Sequence, residues 1–216
     1  MITIKLIPLA LLGMGIFLLI QVSLPLLNYR LWEFRNLGTN KILISPQSEK
    51  NKQILSISVT QNDNFPAFIS TIQRNTPAPY QQFSLSVPNL KIQDARVFVD
   101  SNDLSLGLAH LPGSALPGER GNVFISGHSS LPLFFKGEKN SKAVFANLAN
   151  LKKGDQIKVS ATGSIFKYEV IGTKVVNPKD LSVIAPLDDQ NRYLTLMTCV
   201  PPGLNTNRLI VQAKLI

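Results

Sequence analysis

The chain has 216 residues, of which 44% are hydrophobic and 16% charged, and its formal net charge is +9. It is too apolar and too weakly charged for a globally disordered chain, and its length suits one sizeable domain with an appendage. The positive excess is spread out rather than clustered as in a nucleic-acid footprint, and a single cysteine excludes both an internal disulfide framework and a zinc site built on several thiolates.

The first segment is apolar. Leu6 to Leu27 runs for 22 residues without a charge, about 33 Å if helical and so enough for a bilayer core. Residues 1–27 are therefore expected to be one retained transmembrane helix. A cleaved signal peptide is the competing reading, opposed by the length of the run and by the lack of a small-x-small cleavage site after it. The flanking charges, Lys5 before and Arg30, Glu33 and Arg35 after, slightly favour an inward-facing domain.

Residues 28–82 are polar and irregular, with Ser45-Pro46, Asn62-Asp63-Asn64 and Thr76-Pro77-Ala78-Pro79. They read as a stalk, within which Ile54–Val59 has strand character. From Phe83 to Ile216 the pattern changes to short alternating runs broken by Pro, Gly and Asn. Strands are expected at Ser84–Val87, Ala95–Val99, Asn122–Ser126, Gln156–Ser160, Phe166–Val176, Arg192–Thr198 and Arg208–Leu215. One short amphipathic helix is expected at Lys142–Leu151, with Val144, Phe145, Leu148 and Leu151 on one face. Such a domain is mostly β, a closed barrel or a sandwich.

Chemistry-bearing residues fall at strand ends. In Arg192–Cys199, strand alternation puts Thr195, Met197 and Cys199 on the face opposite Leu194 and Leu196. Pro201-Pro202-Gly203 ends that strand. If Val200–Asn207 serves as the loop of an antiparallel pair, Arg208 comes opposite Cys199, where its charge favours thiolate over thiol. A thiol nucleophile needs a proton carrier, and the only imidazoles are His110, in a turn-rich stretch, and His128, after Asn122–Gly127. By residue type alone, either histidine can equally be structural.

Thr195-Leu196-Met197-Thr198-Cys199 resembles the TLxTC signature of sortases, with Arg208 at the distance of that family's essential arginine. Gly107–Asn122 (GLAHLPGSALPGERGN) resembles the segment preceding the family's catalytic histidine, and Gly127-His128 resembles its GH motif. Ser114 stands where Thr is usual, and Ser129 where Arg is common. The resemblance runs from about Leu85 to the carboxy terminus.

It implies an eight-stranded β-barrel with a few short helices, and a cysteine transpeptidase that cuts a carboxy-terminal LPxTG-like sorting signal through a thioacyl intermediate. The catalytic residues would be Cys199, His128 and Arg208, with Thr198 as a helper at the substrate. His110 would be structural or, alternatively, a substrate-groove contact. The implied partners are surface proteins bearing the signal, an amine acceptor from a wall precursor or another surface protein, and the membrane; no cofactor or metal is expected. Exported substrates would require an extracellular catalytic domain on a single-pass anchor, against the weak charge count. The competing functions are a membrane-bound cysteine peptidase that gives the acyl group to water, and a non-catalytic barrel that binds wall polymer or a partner protein.

Overall fold

The computed structural model describes residues 11–21, 23–24, 27, 31, 57–62, 65–70, 76–130 and 143–216. The chain divides into two compact units, Met1–Pro46 and Gln47–Ile216. In the first, residues 11–21 are helical, and Leu11, Leu12, Met14, Phe17 and Leu19 are each more than half exposed. No helix among the described residues is long and apolar enough to cross a membrane. The remainder of the expected Leu6–Leu27 anchor lies largely outside the described residues.

The second unit opens with an antiparallel ribbon of β1 (Ile57–Asn62) and β2 (Phe65–Ser70). The stretch read as an irregular stalk therefore carries a hairpin, only part of which overlaps Ile54–Val59. Asn102 ties the ribbon to the following domain. Its Oδ1 accepts from the Ser70 N–H at 3.2 Å and its Nδ2 donates to the Ser70 carbonyl at 3.1 Å, so one amide satisfies both backbone groups.

Eight further strands close a barrel: β3 (Gln82–Val87), β4 (Ile92–Phe98), β5 (Leu108–His110), β6 (Gly121–Ser126), β7 (Gln156–Ala161), β8 (Ser164–Val176), β9 (Arg192–Val200) and β10 (Asn207–Leu215). Their order around the barrel is β10-β8-β7-β3-β4-β5-β6-β9. Pairing is parallel for β4–β5 and β6–β9 and antiparallel elsewhere. Burial in β3 and β7 has the strand period of two: Phe83, Leu85 and Val87 turn inward, as do Ile157, Val159 and Ala161. Burying each large aliphatic side chain contributes about 1.5–3 kcal/mol.

β6, β9 and the first half of β10 differ, because they are buried on both faces. One face belongs to the barrel interior. The other is covered by a second cluster, in which Phe124, Met197 and Ile210 from the strands meet Leu111, Val183 and Ile184 from the connections. Val183 and Ile184 belong to a 3-10 turn, Leu181–Ile184, in the connection between β8 and β9. A buried polar chain holds that turn down: Thr195 Oγ1 donates to Asn122 Oδ1 at 2.9 Å, and Asn122 Nδ2 donates to the Ile184 carbonyl at 2.9 Å.

The helix expected at Lys142–Leu151 is not formed among the described residues 143–151, which are successive turns ending in a 3-10 helix, Leu148–Asn150. Ala146, Leu148, Asn150 and Leu151 each donate to the carbonyl three residues back. Phe145, Leu148 and Leu151 are buried, and their spacing of three suits the 3-10 period better than the α period.

Candidate active site

The connection Pro201–Thr206 returns β9 into β10 so that Cys199 and Arg208 are direct cross-strand partners on one face. Arg208 is only 2% exposed. Its Nη1 donates to the Asn205 and Asn207 carbonyls, each at 3.1 Å, which holds the guanidinium against the return loop. Cys199 is a free thiol of intermediate exposure. Burial pushes the Cys199 thiol above its ordinary value, and the Arg208 charge opposes that shift without cancelling it. Burial likewise lowers Arg208, against the pull of Cys199. The expected electrostatic effect of Arg208 is thus present, but desolvation outweighs it.

The third residue arrives on the other side of β9. The parallel β6–β9 register runs from Gly121↔Arg192 to Ser126↔Met197, a constant offset of 71 positions. Carried two residues further, it brings His128 alongside Cys199. Hydrogen bonds mark out this continuation. The Gly127 N–H donates to the Met197 carbonyl at 3.0 Å. Thr198 Oγ1 donates to the Gly127 carbonyl at 2.7 Å, and Ser129 Oγ donates to the Cys199 carbonyl at 2.5 Å. The His128 carbonyl accepts from the Phe145 N–H at 3.0 Å, and the Ser129 carbonyl accepts from the Gly203 N–H at 2.8 Å.

Glycine at position 127 has a steric cause. A Cβ there would lie 2.5 Å from Leu108 Cδ2 and 2.5 Å from Phe145 Cδ2. Its absence lets β5 and the Phe145 turn close directly over the backbone that carries His128.

Thr198, expected as a helper at the substrate, and His110, expected to be structural or a groove contact, are both buried. Thr198 is 3% exposed and pairs with Leu209, on the face of β9 opposite that of Cys199. Its hydroxyl is spent on Gly127, so it braces the strand end rather than lining the Cys199 face. His110 has no exposed surface. Its Nδ1 accepts from the Asp100 N–H at 3.3 Å and lies 3.4 Å from Asp100 Oδ1. Its Nε2 is 2.9 Å from the Ala115 carbonyl and 2.9 Å from Ser114 Oγ. The ring packs edge-on against Phe83, with centroids 6.0 Å apart. Of the two readings of His110, the structural one fits these contacts, because both nitrogens are occupied in holding residues 100–115 together.

Asn122, Thr195 and Ser129 contribute to the site without having been singled out for it. A buried amide facing a buried hydroxyl is a detectable signal only once β6 and β9 are known to be neighbours. At the far end of the β8–β9 connection, Asp188 accepts from the Tyr193 hydroxyl, from Asn191 Nδ2 and from the Gln190 and Asn191 N–H groups. The Tyr193 and Asn191 contacts hold its carboxyl well below the usual range. Among the described residues, no group of three or more His, Cys, Asp and Glu is disposed to hold a metal ion.

As chemistry, the arrangement offers a thiol, an imidazole-bearing residue and a buried fixed cation at the ends of three adjacent strands. That set is suited to acyl transfer through sulfur.

A family model described as the sortase domain matches residues 85–216, more than half of the chain. Over 118 residues the chain is 33% identical to Sortase D of Bacillus subtilis (strain 168), a match spanning 53% of this chain and 53% of that protein. The chain thus covers about half the length of that curated relative. Among solved structures it is similar to a Clostridium perfringens Sortase D5 transpeptidase, with 29% identity and a TM-score of 0.52 over 63% of this chain and 79% of that one. It is also similar to Sortase A from Corynebacterium diphtheriae, with 33% identity and a TM-score of 0.54 over 63% and 61% of the two chains.

Proposed function

The chain belongs to the sortase family, and from that premise we propose that it is a membrane-anchored cysteine transpeptidase that joins exported proteins to an amine acceptor. The observation that carries this reading is the β9–β10 register, which pairs Arg208 with Cys199, together with the β6–β9 ladder, whose continuation past Ser126↔Met197 would bring His128 beside Cys199. In the proposed reaction the Cys199 sulfur attacks the carbonyl of the Thr in an LPxTG-like sorting signal. The C–S bond forms as the Thr–Gly C–N bond breaks, and His128 gives a proton to the departing amine. Arg208 stabilises the oxyanion of the tetrahedral intermediate and holds the substrate. The acceptor amine then loses its proton to His128 and displaces Cys199, leaving a new amide bond and the free thiol. The acceptor is an amine of a wall precursor or of another surface protein.

The raised thiol pKa of Cys199 fits this scheme. The resting group is a neutral thiol, and the nucleophile is generated when substrate displaces water and His128 accepts the proton. The uncharged run Leu6–Leu27 in the sequence is the basis for the proposed anchor. Exported substrates then place the catalytic domain outside the cell.

The test is incubation of the purified protein with a fluorogenic LPxTG-like peptide, with and without an added amine such as triglycine. Transpeptidation predicts a ligated product that grows with amine concentration, and none with Cys199→Ala. Hydrolysis alone, unaffected by amine, would make the protein a cysteine peptidase instead.

A further inference from the structure

We propose that Ser129 is a positioning residue for this reaction, its hydroxyl fixing the backbone beside His128 to the backbone of Cys199. The proposal rests on the reading of Cys199 and His128 as the reacting pair.

The backbone ladder between β6 and β9 ends at Ser126↔Met197, with one further bond from the Gly127 N–H to the Met197 carbonyl. Beyond that point the two chains need another connection, and His128 and Cys199 both lie beyond it. Two side chains supply it in opposite directions: Thr198 Oγ1 reaches across to the Gly127 carbonyl and Ser129 Oγ reaches back to the Cys199 carbonyl. His128 lies between the two ties. Ser129 is 5% exposed, so its bond is largely sheltered from competing water. Its own carbonyl accepts from the Gly203 N–H in the loop that leads to Arg208. One residue therefore joins the backbone beside the proton carrier, that of the nucleophile and that of the loop leading to Arg208.

The ties act on main chain, at the Gly127 and Cys199 carbonyls, rather than on the reacting side chains. Their effect belongs in the chemical step more than in binding, because a shift of about 1 Å in reacting groups can cost on the order of 100-fold in rate. A serine is suited to this position by its short reach and single donor. An arginine at the same place could not make the same close contact with a sheltered carbonyl.

The experiment compares wild type, Ser129→Ala, Ser129→Thr and Cys199→Ala in cleavage of the LPxTG-like peptide, with thermal unfolding as a check on folding. The expected result is a fall in kcat of about tenfold or more for Ser129→Ala, with KM within about twofold of wild type and most of the rate restored by Ser129→Thr. If Ser129→Ala does not fold, Ser129→Cys takes its place, since it keeps the size and weakens the donor. Wild-type kcat in the hydroxyl-free variant, a loss confined to KM, or equal impairment of the Thr variant would each overturn the positioning role. Peptide cleavage that persists in Cys199→Ala would instead overturn the functional reading itself, whatever the Ser129 variants do.

Discussion

Arg208 stands directly across the β9–β10 ladder from Cys199, and burial opposes the ionised form of both side chains. A buried guanidinium next to a half-buried thiol is costly unless something makes use of the charge. In the proposed reaction the developing oxyanion does so. Replacing Arg208 by Met is expected to lower kcat/KM for peptide cleavage by about 100- to 1,000-fold. Arg208→Lys is expected to recover little, because an ammonium on a flexible stem cannot reproduce the anchorage on the Asn205 and Asn207 carbonyls. Steady-state kinetics on the two variants check this.

The shift at Cys199 has a definite sign. Because the thiol pKa is raised, the thiolate fraction at neutral pH is below that of a free cysteine. The rate of alkylation by iodoacetamide should therefore keep rising with pH beyond the range in which a small-molecule thiol has levelled off. Arg208→Met removes an influence that lowers the pKa, so its profile should move to higher pH. A wild-type profile that has already levelled off at pH 7 would contradict this account.

The two histidines are expected to separate cleanly. His110 is wholly buried and holds residues 100–115 through both ring nitrogens. His110→Ala should cost about 2–3 kcal/mol of stability, read from denaturant midpoints, while the folded fraction keeps most of its activity. His128→Ala should show the reverse, with nearly unchanged stability and a loss of peptide cleavage of about 100-fold or more.

Asn122 fastens the Leu181–Ile184 turn over the outer face of β6 and β9. Asn122→Leu leaves the Thr195 hydroxyl and the Ile184 carbonyl without their partner in a buried setting. The expected cost is about 1–3 kcal/mol, measured by denaturant unfolding. Because that turn covers the face carrying Cys199, KM for peptide should rise more than kcat falls.

Much of this was legible in the sequence because β-strands alternate. Leu194 and Leu196 against Thr195, Met197 and Cys199 separate the two faces of β9, and an antiparallel return was one arrangement that would bring Arg208 opposite Cys199, the register the structure has. The Gly127-His128 pair was legible as a strand end. Other features depend on contacts that no local pattern encodes. β5 is three residues, Leu108–His110, held between one parallel and one antiparallel neighbour. Phe145, Leu148 and Leu151 satisfy a helical face nearly as well as they satisfy consecutive tight turns. The resemblance implied Thr198 as a helper at the substrate, and pleating turns it to the face opposite Cys199, where its hydroxyl donates to the Gly127 carbonyl. Ser129 acquires its role only where the β6–β9 ladder ends, and that point is set by tertiary pairing.

The central claim is that Cys199 carries the acyl group. Intact-protein mass spectrometry after mixing the enzyme with excess LPxTG-like peptide in the absence of an amine tests it most directly. The account predicts a covalent adduct equal in mass to the peptide up to its Thr, less one water, located on Cys199, discharged by hydroxylamine and absent from Cys199→Ala. Peptide turnover with no thioester on Cys199, or an adduct that survives Cys199→Ala, would contradict it.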